Sequence, residues 1–172
     1  HTRNKELLKY AQTDALTGLY NKETTEQLTD ELLSEDENKY HAFLILDVDC
    51  FKQINDIYGH AVGDRVLQKF GKLLKGTFRE GDILGRIGGD EFGVIMKNIQ
   101  TKDIAMKKAE ELLAKTQAYK IDELKGNNIS ISIGISTAPQ DGDCYMDLYK
   151  RADQALYQAK RSGKARVCNY FS

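Results

Sequence analysis

Proline is almost missing from this sequence: Pro139 is the single one in 172 residues. No low-complexity tract takes its place, so nothing reads as an internal linker, and the length suits one domain. Cysteine is scarce and odd in number. Cys50, Cys144 and Cys168 form no CxxC pair and no zinc-like cluster with His41 or His60. That argues against a disulfide framework or a zinc site and leaves three reduced thiols. Neither sign of charge prevails, since 25 lysines and arginines against 26 acids give a net charge of -1. A general binder of nucleic acid or of anionic membranes would show a basic excess. Long apolar runs are also lacking. The stretch AFLIL, Ala42 to Leu46, is far too short to span a bilayer, and no signal peptide opens the chain. Because the first residue is His1, the sequence is expected to be a piece of something longer.

What is present is an ordinary soluble composition, 41% hydrophobic and 30% charged, ample for a core. The opening residues HTRNKELLKYAQ place Leu7, Leu8 and Ala11 on a helical stripe and are expected to end a helix arriving from upstream. Residues 1–12 are therefore assigned to an upstream signalling helix or linker and 13–172 to the domain proper. Leu28, Leu32 and Leu33 predict a helix from Lys22 to Ser34, and HAFLILDVD reads as a central strand covered on both faces. Val66, Leu67, Phe70, Leu73 and Leu74 predict a helix from Asp64 to near Gly76. DILGRI and FGVIM flank a double glycine as a hairpin. A further helix is expected over Lys102 to Tyr119. In ISISIGIS, Ile129, Ile131, Ile133 and Ile135 share one strand face. A last helix from about Met146 to Arg161 precedes a short strand in ARVCNYF. Interleaved helices, strands and hairpins predict an α+β fold, a mixed α/β sandwich, rather than a purely parallel sheet.

The chemistry gathers in a few stretches. Asp47 and Asp49 of DVD are two apart on a strand, so both face the same way at its carboxyl end, a common place for ligands. Asp90 and Glu91 sit at the hairpin tip beside Gly88 and Gly89. Acids often do no more than end strands and solvate turns. Two acid pairs converging on one edge would instead repel unless a cation neutralised them, and Mg²⁺ held by carboxylates and phosphates is the usual arrangement. The glycines can supply positive φ in a tight turn or let a nucleotide approach the backbone. Lys52 follows DVD closely enough to reach a phosphate. Asn55 and Asp64 carry the amide and carboxylate that read a guanine edge. Taken singly, Asn55 suits a turn, Asp64 a helix N-cap and His60 a structural role. Lys160, Arg161 and Lys164 in KRSGK either answer a helix dipole or clamp a triphosphate.

Taken together, TDALTGLYN, DVDCFKQINDIYGHAVGD, RIGGDEF, ISIGIS and RADQALYQAKRSGK resemble the GGDEF-domain diguanylate cyclases in order and spacing, over roughly Thr13 to Val167. The resemblance implies a polymerase-palm or nucleotide-cyclase-like fold, a central sheet flanked by helices. It implies that two GTP molecules condense to cyclic di-3′,5′-GMP with release of two pyrophosphates, between two copies of the domain. By position, Asp47, the Val48 carbonyl and Asp90 would hold Mg²⁺ or Mn²⁺. Asp90 and Glu91 would help deprotonate the attacking hydroxyl, and Lys52 would stabilise charge on the α-phosphate. Asn55, His60 and Asp64 would hold the nucleoside, with Gly88 and Gly89 beside the substrate. The amides of Cys50 and Phe51, with Lys160 and Lys164, would hold the β- and γ-phosphates.

REGD, Arg79 to Asp82, stands at the spacing of the family's RxxD inhibitory site, where product would bind. Departures are small: Cys50 replaces a frequent bulky residue, Lys164 a frequent arginine, and Lys22 another. The resemblance also implies a cytoplasmic domain driven by an upstream sensor, in a parent that can be membrane-anchored, with no nucleic acid and no direct membrane contact. The rival readings are a non-catalytic receptor for GTP or cyclic di-GMP and, more weakly, a metal-dependent nuclease.

Overall fold

The computed structural model describes residues 2–35 and 39–171, so His1 and Ser172, the outer ends of the two expected segments, lie outside the described residues. Among these residues six α-helices and five strands follow one another: α1 (Thr2–Gln12), α2 (Lys22–Glu35), β1 (Tyr40–Val48), α3 (Phe51–Tyr58), α4 (His60–Thr77), β2 (Ile83–Arg86), β3 (Glu91–Ile99), α5 (Lys102–Ala118), β4 (Ile131–Ala138), α6 (Tyr145–Arg161) and β5 (Val167–Asn169). The strands form one sheet in the order β2-β3-β1-β4-β5. All pairs are antiparallel except β4 with β5. The fold is α+β, as expected. No helix among the described residues is long and apolar enough to cross a membrane.

Because side chains alternate along a strand, β1 divides the core in two. Leu44, Leu46 and Val48 join Ile131, Ile133 and Ile135 of β4, together with Val66, Phe70 and Leu74 of α4 and Ala105, Ala109 and Leu112 of α5. Phe70 packs edge-to-face on Phe92, 4.9 Å between centroids. On the opposite face Phe43 and Ile45 meet Leu33 of α2 and Tyr145, Leu148, Ala152 and Leu156 of α6. The continuous apolar run of β1 thus arises because helices cover both faces, leaving Ala42 to Leu46 fully buried. In contrast, α1 buries no residue; Leu7, Leu8 and Tyr10 stand exposed.

The stretch after DVD departs from expectation. Phe51, Ile54 and Tyr58 pack against the core at helical spacing and build α3, so Asn55 is helical rather than in a turn. Gly59, at φ 92, ends α3 and starts α4 in a backbone conformation that a side chain would strain. The second helix therefore begins at His60, and Asp64 lies inside it; its N-cap is Gly59. The apolar pattern from Val66 to Leu74 hid this start because the first turn of α4 is exposed at His60 and Ala61.

Close packing of α6 on β4 depends on Gly134. A Cβ there would come within 2.2 Å of the Ala152 carbonyl and 2.4 Å of the Leu156 amide nitrogen, both backbone atoms that cannot turn aside. Gly134→Ala is expected to push α6 outward and to cost about 1–3 kcal/mol or more of stability. Urea denaturation reads this as a lower midpoint with an unchanged slope; an unchanged midpoint would contradict the packing described.

Candidate active site at the carboxyl end of the central strand

Strand register brings the acids together. Asp47, the penultimate residue of β1, pairs with Glu91, the first of β3. The Val48 amide donates to the Asp90 carbonyl at 3.3 Å, fastening the hairpin tip to the end of β1. A second fastening comes from Arg86, whose Nη2 and Nε donate to the Gly89 carbonyl at 2.7 and 3.0 Å. The same guanidinium meets Asp14 at 3.2 Å. Burial works against the Asp14 charge, but bonds from the Thr17 hydroxyl and amide, with Arg86, hold its carboxyl below the usual range. The TDALTGLYN stretch thus braces the turn that carries the acids.

Gly88 and Gly89 do not adopt positive φ, so the tight-turn reading of the pair does not hold. A Cβ on Gly89 would meet nothing within 4 Å, which leaves open space above that backbone. The Gly88 amide donates to the Glu91 carbonyl at 3.2 Å.

Charge at this edge is unbalanced. Asp47 is 7% exposed, and burial, with Asp90 beside it, pushes its carboxyl up to about 7 against the pull of Lys160. Lys160 forms an ion pair with Asp47 Oδ2. Burial opposes the lysine's charge, yet Asp47, Asp90 and Asp49 raise its affinity for the proton. Asp47 Oδ1 is buried, and no hydrogen-bond donor among the described residues reaches it. An orphaned carboxylate oxygen next to a second carboxylate fits a hard divalent cation, which takes oxygen ligands and removes the repulsion. Glu91 is shifted up as well, first by burial and then by Asp153 and Asp90; the Tyr149 hydroxyl, donating at 2.8 Å, opposes the shift. Burial, and then the bond to Glu91, make the tyrosine hold its own proton more tightly.

The other expected residues follow the end of β1, on α3 and α4 and in the loop after α6. Asn55 of α3 rests on Gly63 of α4, where an added Cβ would fall 1.9 Å from its Oδ1. Gly63 therefore lets the amide lie against the helix one residue from Asp64, which is exposed. Lys52 and His60 are exposed near opposite ends of α3 and at the start of α4. Cys50 takes the left-handed conformation at φ 56 and immediately precedes α3. First-turn amides of a helix have no intrahelical acceptor and attract anions, so Phe51 and its neighbours present donors here. Lys164 reaches back to the same place, with Nζ 3.2 Å from Cys50 Sγ.

The RxxD pair is placed separately. Asp82 has a side chain only 1% exposed, and its oxygens accept from the Arg79 and Lys97 amides at 3.2 and 3.1 Å and from Arg79 Nη2 at 3.2 Å. This carboxylate anchors its own turn. The Arg79 side chain is 61% exposed, its Nη2 also donates to the Lys97 carbonyl, and the residue borders a cavity of about 460 Å³ that Gly18, Tyr20, Lys75, Phe78 and Leu84 also line.

One participant was not singled out from the sequence. Tyr149 lies three helical turns before Lys160 on α6, so both reach the acidic edge; that spacing was the available signal. Asp49 faces the same way as Asp47 but bonds to Ser130 and Ser132, at 2.6 and 2.7 Å, and not to the acids. Elsewhere, Asp143, Cys144 and Asp147 bring ligand atoms within 4.8 Å of one another at the start of α6. Acids at a helix N-terminus are explained by its dipole.

Known proteins carry the same arrangement of sequence and fold. The response regulator PleD of Caulobacter vibrioides is 38% identical over 165 residues, 93% of this chain but 36% of its own length. Diguanylate cyclase A of Treponema denticola is 36% identical over 170 residues, 95% of this chain and 46% of its own. The chain thus spans less than half the length of these relatives. Among solved structures, the coiled coil and GGDEF domain of DgcB from Caulobacter crescentus, in complex with c-di-GMP, superposes with a TM-score of 0.89 at 25% identity. That match covers 98% of this chain and 90% of the other. Residues 11–166 match the model of the diguanylate cyclase GGDEF domain, and the chain belongs to that family.

Proposed function

We propose that this domain is a diguanylate cyclase, in which two copies, each holding one GTP, make cyclic di-3′,5′-GMP. The observation that carries the reading is the buried, donor-less Oδ1 of Asp47 beside Asp90, with Lys160 paired to the same carboxylate. In each of two equivalent steps, a 3′-hydroxyl of one GTP attacks the α-phosphorus of the other. The new P–O bond forms as the bond to the β-phosphate's bridging oxygen breaks, and pyrophosphate leaves. The hydroxyl proton passes to Asp90 or Glu91. Glu91 suits this role because burial shifts its carboxyl up, which makes its carboxylate a stronger base.

Asp47, the Val48 carbonyl and Asp90 would hold Mg²⁺ or Mn²⁺, which when bound supplies charge neutralisation for the triphosphate. The residues fit such an ion. Lys160, Lys164 and the amides of Cys50 and Phe51 would bind the β- and γ-phosphates, and Lys52 the charge developing on the α-phosphate. Asn55 and Asp64 would read guanine, and His60 would border the nucleoside; open space over Gly89 admits the substrate. Arg79, exposed beside its cavity, would grip a guanine of the product, with Asp82 holding the arginine turn in place. The parent protein would place an upstream sensor before α1, with the domain in the cytoplasm.

The direct test fuses the chain to a dimerising coiled coil and supplies GTP with Mg²⁺, with products identified by chromatography and mass. Cyclic di-GMP is expected, with turnover down at least about a hundredfold in Asp90→Ala or with a chelator present. GTP bound without product would favour a receptor instead. Asp64→Ala is expected to lower the preference for GTP over ATP by roughly tenfold, measured as a ratio of binding constants. Its exposure predicts an unchanged melting temperature. Arg79→Ala is expected to abolish inhibition by added cyclic di-GMP while leaving initial turnover intact; inhibition that persists would remove the RxxD turn from the account.

A further inference from the structure

We propose that Asp49 is a positioning residue: its buried carboxylate latches the loop carrying Lys164, and so sets the triphosphate grip. This rests on the reading of Lys160 and Lys164 as phosphate ligands. Asp49 is 7% exposed and follows the last residue of β1. Its amide continues the ladder to the Ser130 carbonyl at 2.8 Å. Its side chain accepts three bonds: from Ser130 Oγ at 2.6 Å, from Ser132 Oγ at 2.7 Å and from the Ala165 amide at 3.1 Å. The serines aim the carboxylate, and the third bond reaches out of the sheet to the loop after α6.

That loop needs an external hold. Gly163, Lys164 and Ala165 all have positive φ, at 119°, 63° and 49°. Two of the three are not glycine, so the loop adopts a backbone that its residues do not favour by themselves. The Lys164 amide donates to the Ala159 carbonyl at 3.0 Å, closing the end of α6. The Arg166 carbonyl accepts from the Ile133 amide at 2.9 Å, where β5 begins. Between these two fixed points the bond from Ala165 to Asp49 sets the turn. With the turn so set, Lys164 Nζ lies over Cys50, at the amino end of α3. Asp49 directly precedes Cys50, so one carboxylate ties the amide-bearing turn to the lysine-bearing loop. It does so without touching the substrate.

The experiment compares the chain with Asp49→Ala, Asp49→Asn, Lys164→Ala and the Asp49→Ala/Lys164→Ala double variant. GTP and GMP binding are measured by calorimetry with Mg²⁺, and amide exchange by NMR. Asp49→Ala is expected to expose the Ala165 amide to exchange while core amides of β1 and β4 stay protected. GTP affinity should fall about tenfold, the loss of one charge-assisted phosphate contact, with GMP affinity unchanged. Lys164→Ala should match that loss, and the double variant should add nothing, since both remove one contact. Asparagine keeps an acceptor for Ala165 and can bond the serines in either sense, so Asp49→Asn should recover most of the affinity. If Asp49→Ala leaves the Ala165 amide protected, or lowers GTP and GMP binding alike with loss of core protection, the latch is overturned. If Lys164→Ala leaves GTP binding unchanged, the phosphate reading of Lys164 fails, whereas the exchange result still decides the latch.

Discussion

Like charges brought together by strand register are the constraint around which this domain is organised. Once β1 pairs with β3 so that Asp47 stands opposite Glu91, and the hairpin tip is fastened at Val48, Asp90 has nowhere else to lie. Burial of Asp47 makes the repulsion costly, because a carboxylate out of water cannot shed its charge onto solvent. The fold answers with one lysine, a raised carboxyl and a tyrosine hydroxyl turned toward Glu91. These moderate the repulsion but leave Asp47 Oδ1 without a donor. A site so built holds protons or cations more readily than bare charge. A divalent ion bound there would displace the proton that burial and Asp90 favour on Asp47, whose carboxyl is pushed up to about 7.

Much of the architecture was legible because it rests on periodicity. The apolar run of β1, the alternating isoleucines of β4 and the stripes of α4, α5 and α6 each predict an element that the structure contains. Legibility failed where the pattern was short or its signal was a single glycine. α3 spans only Phe51 to Tyr58 and shows the core just Phe51, Ile54 and Tyr58. Gly59 then separates two helices with no linker at all, a junction that reads as a loop when taken residue by residue. Asp64 looked like a cap for the same reason, since the first turn of α4 carries too little apolar surface to announce itself.

The candidate site was legible in its residue types and only partly in its geometry. Adjacent acids at a hairpin tip and an acid near the end of a central strand point to one edge, and the register joins them. What spacing could not convey is which side chains serve other side chains. Asp49 resembles Asp47 in sequence and in facing direction, yet two serines on β4 claim it. Asp82 sits in a motif as though facing a ligand, whereas backbone amides take up its carboxylate. Arg86 and Asp14, far apart in sequence, meet only because β2 passes beside the turn at Tyr20. Such pairings depend on long-range contacts and leave no local trace.

The distribution of burial then bears on why a reaction here would need two copies. Asp47 and Glu91 are enclosed or half-enclosed, whereas Lys52, His60, Asp64 and Lys164 stand exposed. A single domain therefore holds its acids partly or fully buried and its proposed nucleotide contacts on an open rim. An open rim can bind a triphosphate but excludes water poorly, and water competes with a sugar hydroxyl for the same phosphorus. A second copy facing the first would supply both the hydroxyl and the missing wall. On this view α1, with nothing buried along its length, belongs to the assembly more than to the domain core. Under the proposed function, the core would build each half of the reaction site, and bringing the halves together would fall to contacts outside it.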